Sequence, residues 1–439
     1  METMPNILWI MTDQQSANML GCAGNPYVHT PHLDALAAQA VRFENAYCTN
    51  PVCLPSRFSL LTGLYPGDIG VWENENKPVP ASVQSNGLGH LLKQAGYTVV
   101  YGGKEHIPDV NTAALGYDYI CEDERLVLAE TCAEYIADYD WEKPLFMTAS
   151  FVNPHDICLM AMQDFEPVDI NKEPPVWQEA YLQAAKAQQL PEGMPEEEFF
   201  ATICPPLPDN YEPAPDEPEA IALLQEQRVF KKMARAEYSD ERWRIHRWAY
   251  SVLTEQADRQ IGMVLEALRK SGQWDNTLIL FTSDHGDMDA SHKMEHKENL
   301  YQEACHIPLI LKAPGQTKGR VVPHLVSNGL DLYPTVLDYC GIAPVSYLRG
   351  SSLRQILEGH RDEAVHDTLI IECENGIGAV SDRFKYVRYD KGTRNEQFYD
   401  LLVNPGEMYN QIEDPQYAQA VCQLRGAVDA HLRSRPTLL

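Results

Sequence analysis

Apolar runs that each close on a polar, chemically versatile residue recur along this chain. Asn6-Ile7-Leu8-Trp9-Ile10-Met11-Thr12-Asp13 is apolar without alternation and ends in an acid. Such a run reads as a strand buried on both faces, the habit of parallel sheets. Residues 144–151 repeat the pattern and lead into Asn153-Pro154-His155. Thr277-Leu278-Ile279-Leu280-Phe281-Thr282 does the same and leads into Ser283-Asp284-His285. Tyr97-Thr98-Val99-Val100-Tyr101 is a further strand, followed by the turn Gly102-Gly103. Helical periodicity lies between these runs: from His32, from Pro55 to about Thr62, over 88–95 and over 243–270. Proline suits a first helical turn, and Gly63 is the expected stop. Residues 45–51 read as loop. Alternating strands and helices predict an α/β fold, a large doubly wound, mostly parallel sheet flanked by helices. Open sheets of this kind bind ligands beyond the carboxyl ends of their strands, which is where the acids and histidines above fall.

Two stretches depart from that rhythm. Residues 157–240 are rich in Pro and Glu and read as a long insertion of short helices, a lid over one face. Past about 349 the pattern turns antiparallel, with strands at 368–373 and 383–389 and a helix over 415–433. The expected organisation is a catalytic domain over 1–355 and a small C-terminal α+β subdomain, antiparallel sheet plus helix, over 356–439.

Composition narrows the function classes. The chain has 439 residues, 44% of them hydrophobic, enough for a real core. Its formal net charge of −28 argues against a nucleic-acid partner, which needs an excess of Lys and Arg. No apolar run approaches the ~20 residues that span a bilayer, and no signal peptide is visible. The expectation is a cytoplasmic protein with no membrane partner. Eleven cysteines without CxxC spacing suit reduced, buried thiols.

The most informative stretch is Cys53-Leu54-Pro55-Ser56-Arg57, followed by Leu61-Thr62-Gly63. A Cys at a helix start sits among free N–H groups and the positive end of the helix dipole, which favours a thiolate or a bound oxyanion. Arg57 lies one turn along. Asp13 and Asp284 each close a buried strand, and two converging carboxylates repel unless a cation sits between them. Hard cations take oxygen ligands of this kind. Lys104 and His106 follow the Gly-Gly turn, and Lys297 lies in a basic, histidine-rich segment with His292, Lys293 and His296. Cations placed around an oxyanion are the usual source of transition-state stabilisation. Taken singly, a helix cap, a core histidine or a solvated charge would account for any one of these residues.

Taken together they resemble the sulfatase family of the alkaline phosphatase superfamily. Cys-x-Pro-Ser-Arg with Leu-Thr-Gly resembles its signature, and other strings fall in family order over nearly the whole chain. These are Pro5 through Leu8 with Thr12-Asp13, Phe43 through Tyr47, Gly103 through His106, Ser283 through Asp287, Lys297 through Tyr301, Ile307 through Ile310 and Tyr399 through Leu401. The resemblance implies that Cys53 is oxidised to formylglycine by a formylglycine-generating enzyme, a transient partner. It implies one divalent metal held by Asp13, Gln14, Cys53, Asp284 and His285. Ca²⁺ comes first, with Mg²⁺ and Mn²⁺ open. Gln14 and His285 depart from the common Asp-Asp and Asp-Asn pattern and look more like the choline sulfatase and phosphonate monoester hydrolase branch. The implied catalytic set is Cys53, Arg57, Lys104, His106, His155 and Lys297, and Asn74, Lys104, His155 and Lys297 would contact the anion. The hydrated formylglycine would attack sulfur, His155 would protonate the leaving oxygen, and His106 would act as base when sulfate is expelled. The implied substrate is a small sulfated sugar or other small sulfate ester. A phosphonate monoester or phosphodiester hydrolase is the alternative enzyme, favoured by Gln14 and His285 and disfavoured by Lys104 and His106. A non-catalytic binding protein is the alternative of another class. The oligomeric state stays open, a homo-oligomer included.

Overall fold

The computed structural model describes residues 4–435. Eight strands form the main sheet: β1 (Asn6–Asp13), β2 (Val41–Tyr47), β3 (Thr98–Gly103), β4 (Asp118–Cys121), β5 (Leu145–Pro154), β6 (Thr277–Ser283), β7 (Leu309–Lys312) and β8 (Arg320–Ser327). Their spatial order is β4-β3-β5-β1-β6-β7-β2-β8. All neighbours run parallel except β7, which is antiparallel to both β6 and β2. The unalternating pattern of β1 has a simple cause. Ile7, Trp9 and Met11 join the core on one face, with Leu60 and Leu61 of the helix Cys53–Thr62. Leu8 and Ile10 join the core on the other, with Ile261, Val264, Leu265 and Leu268 of the long helix Asp240–Lys270. That helix begins three residues before the sequence periodicity suggests. Ser239 caps it, its hydroxyl accepting from the Arg242 N–H at 3.2 Å.

The stretch 157–240 folds as short helices, among them Pro175–Ala187, Glu219–Glu226 and Val229–Glu237. A second, antiparallel sheet follows: β9 (Leu369–Cys373), β10 (Gly376–Val380), β11 (Phe384–Tyr389) and β12 (Glu396–Asp400), in the order β12-β11-β10-β9. The helix Ala418–Arg433 lays Val421, Leu424 and Val428 against Ile370, Ile377, Ala379, Tyr386 and Phe398. Two differences from the sequence reading have local causes. Residues 45–47, expected as loop, complete β2, whose polar Arg42 and Glu44 mask its strand character. The glycines of β10 (Gly-Ile-Gly-Ala-Val) hide that strand in the same way.

Candidate active site

The site is assembled by register. β1 and β6 lie side by side and parallel, with Thr12 opposite Ser283, so the next residues, Asp13 and Asp284, emerge together. On the other flank of β1, a register shift sets Asp13 against Pro154, bringing His155 to the same edge. β3 pairs with β5 through Gly103 and Ser150, and Lys104 follows directly. Four adjacent parallel strands thus deliver Lys104, His155, Asp13 and Asp284 to one sheet edge.

Over this edge the helix Cys53–Thr62 begins, buried along its whole length and closed by Gly63 at φ 70°. Its first turn is tied down by the Ser56 hydroxyl, which donates to the Asp284 carbonyl at 2.5 Å. Cys53 Sγ lies 3.6 Å from Asp13 Oδ1, 3.2 Å from His285 Nε2 and 3.2 Å from Lys297 Nζ. Arg57 is buried between the two acids, its Nε 2.8 Å from Asp284 Oδ2 and a terminal nitrogen 3.0 Å from Asp13 Oδ2. The other terminal nitrogen donates to the Lys104 carbonyl and the Ser150 hydroxyl, each at 2.8 Å. Lys104 Nζ sits 2.7 Å from Asp13 Oδ2.

These contacts set the charge states. Burial raises the Asp13 pKa, but Lys104, His155, Arg57 and Lys297 outweigh it and hold the carboxyl well below its usual range. Asp284 goes the other way, raised by burial and by the Asp13 charge. Burial and Asp13 push the Cys53 thiol up, yet Lys297, Lys104 and His285 bring it well below the ordinary thiol value. Position 53 therefore favours an anion. Burial lowers the His155 pKa, and the neighbouring Cys158 and Asp13 raise it to a net value well above normal.

The donor set fits a divalent cation. One ligand atom each from Asp13, Cys53, Asp284 and His285 falls within 4.8 Å of the others. His285 Nδ1 donates to the Gly286 carbonyl at 2.9 Å, so Nε2, 3.8 Å from Asp13 Oδ1 and 3.6 Å from Asp284 Oδ1, is the nitrogen that would face an ion. Gln14, at φ 67°, turns its Oε1 toward the site, 2.5 Å from Lys297 Nζ.

Most of the residues singled out in the sequence converge here. Asn74 is exposed, but its Oδ1 accepts the Leu54 N–H at 3.1 Å, one residue from Cys53. His155 sits at the rim, its side chain 16% exposed. His106 is not brought in: it is exposed, at φ 41°, and makes no hydrogen bond or ion pair among the described residues. Lys293 pairs with Glu212 at 2.8 Å, and His292 stacks on Tyr301, so neither joins the cluster. Sequence reasoning missed Ser150, Tyr250, Cys158 and Asp287. Ser150 holds Arg57, Tyr250 donates to the Gln14 carbonyl at 2.5 Å, and Cys158 Sγ lies 3.3 Å from Gln14 Oε1. Only Asp287, inside the Ser283 through Asp287 string, carried a signal that could have found it.

The sulfatase family model matches residues 5–342, more than half of the chain. The chain belongs to the sulfatase family. The model of the C-terminal region of N-sulphoglucosamine sulphohydrolase also matches, over 290–433. Among sulfatases of known name, the Δ4,5-hexuronate-2-O-sulfatase of Bacteroides thetaiotaomicron is 27% identical, over 98% of this chain and 89% of that protein. The choline-sulfatase of Rhizobium meliloti is 28% identical over 94% and 83%. The solved structure of a 2-O GAG sulfatase superposes with a TM-score of 0.80 at 26% identity, covering 98% of this chain and 92% of that one. The phosphonate monoester hydrolase of Agrobacterium radiobacter shares the fold, with a TM-score of 0.74 at 22% identity over 99% and 96% of the two chains.

Proposed function

We propose that this sulfatase hydrolyses the sulfate monoester of a small sulfated sugar or similarly small alcohol, with formylglycine made from Cys53 as its nucleophilic residue. The observation that carries this reading is the placement of Cys53. It stands at a helix N-terminus, within 3.6 Å of Asp13, His285 and Lys297, where an anion is favoured. Cys53 is only 1% exposed, so the formylglycine-generating enzyme would have to meet the chain before it folds.

Asp13, Gln14, Asp284, His285 and residue 53 would hold one divalent ion. Oxygen donors favour Ca²⁺, while the imidazole keeps Mn²⁺, and less so Mg²⁺, in play. The ion, when bound, polarises the sulfate and lowers the pKa of the nucleophile. Formylglycine supplies a hydroxyl by hydration of its aldehyde, and return to the aldehyde offers a release of sulfate that serine lacks.

The chain's own residues then have separable roles. Lys297, beside position 53, and Lys104, on Asp13, face the anion and hold its developing charge. Arg57 spends its donors on Asp13, Asp284, Lys104 and Ser150, so it acts by fixing the two acids and by its charge. Asn74 holds the helix start at Leu54 and would meet an anion oxygen there. His155, its pKa raised by Cys158 and Asp13, would hold a proton and give it to the leaving oxygen. His106, two residues after Lys104, would serve as the base of the second stage after turning inward, since its side chain now points to solvent.

The candidate space for a small alcohol lies beside Trp72, two residues before Asn74. A cavity of about 220 Å³ is lined by Trp72, Glu374, Asp390 and Arg435. It is stitched to the nucleophile loop, because the Trp72 carbonyl accepts from Asn50 Nδ2 at 3.3 Å. The sulfated sugars named for the hexuronate sulfatase and for the N-acetylglucosamine-6-O-sulfatase of Bacteroides thetaiotaomicron support this substrate class. Phosphonate monoester hydrolysis is the second reading, favoured by Gln14 and His285 in the site and opposed by Lys104. Turnover of an aryl sulfate against a phenylphosphonate ester decides between them. The sulfate ester is expected to be the faster, and the reverse order would establish the second reading.

A further inference from the structure

We infer that Asp287 is a positioning residue that fixes which end of the Gln14 amide faces the catalytic centre. It thereby dictates that position 14 is an amide and not an acid. Both residues are fully buried. Gln14 Nε2 donates to Asp287 Oδ2 at 2.6 Å. The same Oδ2 accepts the His296 N–H at 3.1 Å, and Oδ1 accepts the Asp289 N–H at 2.7 Å. Three donors point at the Asp287 carboxyl, so both its oxygens are placed as acceptors. At the other end of the amide, Oε1 accepts from Lys297 Nζ at 2.5 Å. An ammonium has donors and no acceptor. Turning the amide over would set –NH₂ against –NH₃⁺ and C=O against a carboxyl oxygen that already accepts from His296, so only one orientation survives.

The backbone leaves no other escape. Gln14 lies in the left-handed region, its N–H donating to Asp284 Oδ1 at 3.0 Å and its carbonyl accepting from Tyr250 at 2.5 Å. An acid at position 14 would put an oxygen where Nε2 now stands, acceptor against acceptor at Asp287 Oδ2, and lose a buried hydrogen bond. Asp287 thus explains the amide at position 14, where the common family pattern has an acid. That Oε1 so presented serves as a ligand rests on the metal reading above, whereas the pairing itself does not.

The test is a double-variant cycle on the full chain: Asp287→Asn, Gln14→Glu and the two combined. The thermal midpoint is read in chelator, and the dissociation constants of Mn²⁺ and Ca²⁺ by calorimetry. Each single variant is expected to lower the midpoint. The double variant recovers part of the loss, because the amide introduced at position 287 donates to the carboxylate introduced at position 14. Asp287→Asn weakens ion binding by about 10–100-fold, the usual effect of removing the group that orients a ligand. If a single variant fails to fold, recovery of folding in the double is the same readout. A double variant no better than the worse single overturns the pairing. Coupling in chelator with no ion binding by the wild type would uphold the pairing and remove the metal reading instead.

Discussion

Replacing Arg57 by Ala removes one guanidinium, strands the buried Asp284 and leaves Asp13 with Lys104 alone. Arg57 makes four hydrogen bonds, two of them to Asp13 and Asp284, and is 1% exposed. Breaking a buried pair by deleting one partner costs about 3–5 kcal/mol, because the remaining charge keeps its desolvation penalty. Unfolding entropy of about 2.1 cal/mol/K per residue gives about 0.9 kcal/mol/K for a chain of this length, so the thermal midpoint falls by about 3–5 °C in chelator. A divalent ion shares the charge of the same carboxylates, so the loss is smaller with saturating Mn²⁺ or Ca²⁺. Turnover of an aryl sulfate falls by about 10²–10³, the scale for losing one preorganised charge at the reacting centre. Arg57→Lys keeps the charge but cannot span both acids, and lies between wild type and Ala in both assays. An Arg57→Ala protein that melts with the wild type in chelator, or gains nothing from the ion, would refute the reasoning.

Cys53→Ala and Cys53→Ser should each lose nearly all turnover, and a variant keeping more than a few per cent would exclude formylglycine as the nucleophile. Trp72→Ala should raise KM for a sulfated monosaccharide while leaving an aryl sulfate nearly unaffected; equal effects on both would take the cavity beside Trp72 out of substrate binding. His366 tests the electrostatics away from the site. Burial lowers its pKa, but the Asp331 carboxylate, 2.8 Å from its Nε2, raises it to a net value above normal. The stability this contributes is full below the unfolded value of about 6.5 and is lost as pH rises through the folded value. The midpoint difference between wild type and His366→Gln should therefore shrink from pH 5.5 to alkaline pH, and a gap that widened would contradict the assignment.

The main sheet was legible because strands buried on both faces write their pattern plainly. Asn6 through Asp13 and Thr277 through Ser283 needed no partner to be recognised, and their terminal acids marked the sheet edge. β2 and β10 were not legible, since a polar-interrupted strand and a glycine-rich one take their shape from neighbours. The cluster of Cys53, Arg57, Lys104, Lys297, Asp13, Asp284 and His285 could be named because each residue stands in a recognisable string. The residues behind it were silent. Tyr250 lies mid-helix, 236 positions from the carbonyl it holds, and no local pattern encodes such a contact. His106 shows the opposite failure: the string sets it two residues from Lys104, while its side chain is exposed.

The central claim is that position 53 is formylglycine in the active enzyme. The mass of tryptic peptide 43–57 from a preparation with measured sulfatase turnover tests it directly, with Cys48 in the same peptide as an unmodified internal reference. Loss of sulfur and two hydrogens with gain of one oxygen at residue 53, in a fraction that tracks specific activity, is the predicted result. A fully active preparation whose Cys53 is an intact thiol would contradict it.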